Sequence, residues 1–251
     1  MKRHELETYL ATYFNVDLFQ DYAPNGLQIS GKDEVGLICT AVSASLSTIL
    51  AAVERRADAL LVHHGFFWRG EEPTLLGLKR SRIAALLAHD INLFAFHLPL
   101  DCHKEIGNNA CIARLLNVQE TVSQPQGRNR DLLWSGTLER PLTPDAMMTL
   151  LTEKFHRTPL HLDASVPLIR RIAWCSGAAQ DFIEDAARLG VDAYLSGEVS
   201  ERTYYQAQEH NIHYFACGHH ATERFGIRAL GQHLATTFGL EHYFIDAQNP
   251  I

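Results

Sequence analysis

A chain of 251 residues with 46% hydrophobic and 20% charged residues is long and apolar enough to bury a large core, which excludes a disordered, collagen-like or low-complexity protein. Its formal net charge of −7 argues against a general nucleic-acid binder, whose footprint should be basic, and no run approaches the 18 apolar residues that a membrane span needs. The five cysteines (Cys39, Cys102, Cys111, Cys175, Cys217) are odd in number, widely spaced and without a CxxC, so reduced thiols in a cytoplasmic protein are expected, not a disulfide framework or a thiolate zinc finger.

The first element is a helix, marked by Leu6, Tyr9, Leu10, Tyr13 and Phe14 at three- and four-residue steps. A turn-rich stretch from Asp21 to Gly26 ends it. Strand, helix and strand follow over 37–42, 48–56 and 59–62, the last running straight into His63, His64 and Gly65. Residues 82–89 read as helix, 93–96 as buried strand and 109–116 as helix. Residues 125–130 are polar and turn-like, 132–138 form a strand, and Thr143 with Pro144 starts a helix running to about Phe155. Strands at 193–196, 214–217 and 240–245 complete the reading.

Residues 38–64 laid without gaps on 172–198 match at seven of 27 positions, including Ile38/Ile172, Asp58/Asp192 and Leu61/Leu195. Chance would give roughly two, so the chain contains an internal repeat. The match resumes where 91–97 aligns with 212–218. Each half reads as β-α-β-α-β-α, the order of a mostly parallel sheet covered by helices. The expected fold is therefore α/β, with two pseudo-symmetric lobes (1–124 and 169–251), a short connecting segment (125–168) and a metal cleft between the lobes.

Parallel α/β sheets place ligands at the carboxyl ends of their strands. There stand His63 and His64, Asp101, Glu198, and the group His219, His220 and Glu223. In a helix beginning near His219, that residue and Glu223 share a face one turn apart, as a common metal ion requires, with His220 three residues from Glu223 as a rival. Imidazole with carboxylate suits zinc, iron, manganese or nickel and discriminates little among them. Successive side chains of a strand project to opposite sides, so His63 and His64 can each serve a different ion of a pair. Taken singly, each group has a plainer explanation: a core histidine, a helix cap, a surface pair. Their recurrence at corresponding sheet edges of two related halves favours metal binding. Lys79, Arg80 and Arg82 read as a solvated helix start, Gly107, Asn108 and Asn109 as a capping segment able to meet an anion, and Cys39 and Cys175 as small core residues. P-loop, GxGxxG and GxSxG patterns are absent.

The strings LLVHHGFFW (60–68), FHLPLD (96–101) followed by GNN, SGEVSE (196–201) and GHHATERFGI (218–227), together with DYAPNGLQ (21–28), resemble the family named GTP cyclohydrolase 1 type 2 homologues, most closely its short YbgI-like bacterial members. The resemblance covers essentially the whole chain. It implies a dinuclear centre of two divalent ions per subunit, with His63, His64, Asp101, His219 and Glu223 as ligands and His97 as a further or supporting one. It also implies a toroidal homohexamer, a trimer of dimers, with sites facing its interior. Longer members carry an inserted middle domain where this chain has only the short segment 125–168. The expected activity is hydrolysis of a small-molecule or nucleotide-like substrate, with Glu198, repeat-equivalent to His64, as proton shuttle. The rival expectation is a non-enzymatic metal-binding ring acting as scaffold, metal sensor or DNA-damage-associated interaction protein.

Overall fold

The computed structural model describes residues 1–127 and 129–251, which form two compact units. One comprises Met1–Leu100 with Gly226–Gln248, the other Asp101–Phe225 with Asn249–Ile251.

The first unit opens with α1 (Arg3–Phe14), which buries Leu6, Leu10 and Phe14, one residue per turn, and stops where Asn15 turns left-handed. Then come β1 (Gly26–Ile29), β2 (Leu37–Ser43), α2 (Leu46–Glu54), β3 (Ala59–His64), α3 (Gly77–Ala88), β4 (Asn92–Ala95) and the short turn α4 (Leu98–Asp101). Ser45 caps α2 by accepting from the Thr48 amide at 3.1 Å, so this helix begins two residues earlier than its apolar pattern suggests. Strands β2, β3 and β4 are parallel and almost wholly buried, as their apolar runs require. Their core includes Cys39, Ile49, Leu60, Val62 and Leu93.

The second unit contains α5 (Asn108–Leu115), β5 (Val118–Gln126), β6 (Asn129–Leu142), α6 (Pro144–Phe155), β7 (Leu160–Leu162), β8 (Ile169–Cys175), α7 (Ile183–Arg188), β9 (Ala193–Ser196), α8 (Glu201–His210) and β10 (His213–Ala216). Helix α9 (His219–Phe238) begins in this unit and continues into the first, where β11 (Glu241–Phe244) joins β2 in parallel. Thr143 caps α6 through the Ala146 amide at 3.3 Å, with Pro144 at the first turn as expected. The polar stretch 125–130 differs from its reading as a turn: Pro125 and Gln126 end β5, Asn129 and Arg130 begin β6, and position 128 lies outside the described residues. Pro125 is tolerated because β5 is an edge strand.

The sheet orders are β1-β4-β3-β2-β11 and β5-β6-β8-β9-β10-β7, each with three parallel central strands. The expected α/β fold with a duplicated core is thus observed. Registers repeat as well as residues. Ile38 faces Ala59 and Ala59 faces Asn92; Ile172 faces Ala193 and Ala193 faces His213. The duplication also reaches further than the sequence match, because an antiparallel edge strand pairs Gly26 with Ala95 in one unit and Leu160 with Ala216 in the other.

One repeated identity has a clear cause. The Asp58 carboxylate accepts from the amides of Gly36 and Leu37 at 3.0 and 2.9 Å, where β2 begins, and Asp192 accepts from Arg170 and Arg171, both at 2.8 Å, where β8 begins. Each aspartate ties the start of one strand to the start of the next. Burial works against the Asp58 charge, but Lys32 at 2.7 Å and the two amides outweigh it and hold the carboxyl below its usual range. A depressed carboxylate pKa contributes stability that is full above the unfolded value and lost as pH falls through the folded one. Asp58→Asn is therefore expected to cost about 2 kcal/mol at neutral pH. In urea melts the gap from the parent chain should shrink below about pH 4; a constant gap across pH would contradict this.

Candidate metal centre

In the first unit, β3 delivers His63 and His64 at its carboxyl end, and the segment after β4 delivers His97. His63 is fully buried and its Nδ1–H donates to the Phe96 carbonyl at 2.9 Å, which leaves the neutral ring's lone pair on Nε2. His64 Nδ1 meets Ser43 Oγ at 3.1 Å. His97 Nδ1 meets Asp21 Oδ1 at 2.6 Å. Alternation along the strand does not separate the first two: their ring centres are 4.6 Å apart, and both are within 6 Å of His97. One nitrogen from each of these three imidazoles falls within 4.8 Å of the others, close enough for a shared ion.

The DYAPNG turn is what holds His97. Asn25 Oδ1 accepts from the His97 amide at 2.7 Å, while Asp21 Oδ2 accepts from the Leu98 amide and from Asn25 Nδ2, both at 2.9 Å. Burial opposes the Asp21 charge; His97, Asn25 and the Leu98 amide outweigh it and keep the carboxyl below the usual range.

In the second unit, Asp101 is buried, and Asn108 Nδ2 and Ser176 Oγ both donate to its Oδ1, at 2.8 and 3.0 Å. Asn109 braces the same region: its Nδ2 donates to the Leu132 carbonyl at 3.1 Å, and its Oδ1 accepts from the Ser176 amide at 2.9 Å. The GNN segment starts α5 with Gly107 as its N-cap, as read, and both of its asparagines are fully buried and turned to this scaffold.

Helix α9 places His219 and Glu223 one turn apart, with His219 Nε2 at 3.1 Å from Glu223 Oε2. Glu198 Oε1 takes the other ring nitrogen, Nδ1, at 2.6 Å. Burial alone would depress the His219 pKa; Glu223, then Glu198, reverse this and raise it to about 9. His220, the rival by spacing, is also buried and gives its amide to the Ile251 carbonyl. Gly177, at φ +67°, lies so close to Glu223 that a Cβ would fall 2.2 Å from Oε1. Gly197 is crowded as well, its would-be Cβ 2.7 Å from the His219 Cα.

The repeat explains these glycines. In repeat register His63, His64 and His97 correspond to Gly197, Glu198 and Gly218, and Ser43 to Gly177. His219 corresponds to Leu98, so the two histidine groups stand at the carboxyl ends of strands in their own sheets but are not equivalent positions. Small residues at the strand ends make room for side chains arriving from α9. Lys79, read as part of a solvated helix start, is engaged with Glu71 at 3.3 Å and lies over the Phe67 ring. Cys39 and Cys175 are buried, as expected of core residues, and burial pushes both thiols up.

Sequence reasoning missed Asp21, Asn25, Asn108, Ser176 and Gly177, the residues that position the donors. Asp21, Asn25 and Asn108 were signalled only by lying inside the quoted strings, and Ser176 and Gly177 lie outside all of them. It also missed a third grouping, His161, Asp163 and His213. No helix among the described residues is long and apolar enough to cross a membrane.

The donor chemistry fits a cation: imidazoles tied at Nδ1 and a buried carboxylate, Asp101, tied at one oxygen are oriented as metal ligands usually are. Comparison with known proteins agrees with the motifs. A Yersinia pestis protein named GTP cyclohydrolase 1 type 2 homolog is 47% identical over the full length of both chains, and an Escherichia coli K12 protein of the same name is 46% identical over the same span. A solved structure described as protein ybgI, of unknown function, superposes with a TM-score of 0.96 at 45% identity, covering all of both chains. A solved structure from Thermus thermophilus gives 0.90 at 30% identity, again over the whole of both. The model of the Duf34/NIF3 (NGG1p interacting factor 3) family matches residues 1–250, and with these full-length likenesses it establishes that the chain belongs to that family.

Proposed function

We propose that this chain is a metal-dependent hydrolase whose dinuclear centre is held by His63, His64, Asp101, His219 and Glu223. In this reading His63 and His64 would each hold one ion, Asp101 and His219 would complete the two sites, and Glu223 would serve both. A pair of divalent ions, zinc, iron, manganese or nickel, supplies a lowered pKa for water and polarisation of the scissile bond. The chain's own residues do the positioning. The Phe96 carbonyl, Ser43 and Glu198 fix the tautomer or tilt of three imidazoles, Asn108 and Ser176 fix Asp101, and Asp21 fixes His97, which supports the first pair. Glu198 is over a third exposed, so beyond orienting His219 it is the group we assign to carry a proton to or from solvent.

The observation that carries this reading is that every one of these orienting contacts falls on a candidate donor. A set of surface histidines and acids would not be braced in this way. We further propose a cytoplasmic location and a homohexameric ring built as a trimer of dimers. The exposed Leu75 and Leu76 just before α3 and Leu78 in its first turn offer apolar surface for self-association. The net charge gives no support for nucleic acid as partner.

The test is a hydrolase panel on metal-reconstituted protein, headed by GTP because of the relatives' name and extended to phosphoesters, amides and cyclic amidines. Turnover of at least one class is expected, and His64→Ala should lower it by roughly 100-fold or more. Equal turnover in the two chains would remove hydrolysis and leave a metal-binding ring with a scaffold or sensor role.

A further inference from the structure

A separate grouping lies at the other end of the second sheet. His213 is the first residue of β10, whereas the candidate centre begins beyond its last, roughly 13 Å along the strand at about 3.3 Å per residue. His213 is fully buried, and its Nε2–H donates to the Val166 carbonyl at 2.8 Å, so the lone pair of the neutral ring is on Nδ1. That atom faces His161 Nε2 at 3.1 Å and Asp163 Oδ1 at 3.4 Å, and the remaining side of the triangle, His161 to Asp163, is 4.0 Å.

Two nitrogens bound at 2.0–2.1 Å by one tetrahedral ion stand about 3.3 Å apart, and a nitrogen and an oxygen nearly the same. Little movement is needed to seat an ion here. The three side chains are also held in place. His161 stacks on Phe215 with ring centres 4.4 Å apart and planes 3° from parallel. Gln208 donates to the Asp163 carbonyl at 2.6 Å, and Asn211 accepts from the Ser165 amide at 2.8 Å, which pins the loop that carries the carboxylate. The Asp163 side chain is 78% exposed and that of His161 17%, so an ion can enter from solvent.

We propose that His161, Asp163 and His213 form a further metal site, distinct from the dinuclear centre, for one divalent late transition ion of the zinc type. Two neutral imidazoles and one carboxylate leave a single negative charge and borderline donors, which favour zinc or nickel over magnesium or calcium. On binding, the ion takes the place of the proton between the two rings: His161 gives up its Nε2 proton to solvent and takes one up at Nδ1, so that it stays neutral as the other tautomer, and edge strand β7 is clamped to β10.

The test is a chelator-buffered zinc titration of the full chain with metal counted by mass spectrometry, comparing the parent with Asp163→Asn and His161→Phe. The phenylalanine keeps the stack on Phe215, and the exposed aspartate can be changed without disturbing the core. Each variant is expected to weaken one equivalent by more than the roughly 10–100-fold typical of losing an outer-shell contact. The equivalents sensitive to Glu223→Gln should be untouched. Superimposable isotherms for the parent and Asp163→Asn would overturn the site and reduce the pair to a hydrogen bond that ties down an edge strand. Should His161→Phe fold poorly, Asp163→Asn alone decides.

Discussion

Gly177→Ala is expected to destabilise the protein by about 3 kcal/mol and to displace Glu223. Two effects add. At φ +67° any residue with a Cβ meets left-handed strain of roughly 1–2 kcal/mol. The methyl would also fall 2.2 Å from Glu223 Oε1 and 3.3 Å from His219 Nε2, and overpacking of that kind costs roughly 1–3 kcal/mol. Gly239 separates the two, since it has the same φ of +67° with open space around the position of its missing Cβ. Gly239→Ala should cost only the backbone part, about 1 kcal/mol. Urea melts of the three chains check the difference. Equal losses for the two variants would show that the crowding against Glu223 has no energetic weight.

The duplicated core was legible because its strands are short apolar runs between helices of clear period, as in Leu60–Leu61–Val62 and Tyr194–Leu195. The edges were not. β1 has four residues and begins with Gly26 at the end of a turn string, β7 has three, and β5 alternates poorly and contains Pro125. Such edge strands are defined by their partners, which a local pattern does not contain.

The candidate donors His63, His64, Asp101, His219 and Glu223 were legible as chemistry-bearing residues at strand ends. Their braces were not, since Asp21 reaches His97 across 76 residues and Ser176 reaches Asp101 across 75. The grouping at His161 fails for the same reason: the pair His161 and Asp163 is visible in the chain, but His213 joins only through the pairing of β7 with β10.

Glu223→Gln bears most directly on the dinuclear centre. Glu223 is buried to 3% exposure, its only near-isosteric replacement keeps the shape, and what is lost is the charge that two divalent ions need. Metal affinity is expected to fall by more than the roughly 10–100-fold typical of losing an outer-shell contact, with the fold intact by circular dichroism. The measurement is metal analysis of protein purified without added metal, made in the Asp163→Asn background so that the site at His161 does not contribute. About two divalent ions per chain are expected with Glu223 present, and a loss of both or of one on its replacement by glutamine. No bound metal in the parent, or full occupancy in the Glu223→Gln protein, would contradict a dinuclear centre at these residues.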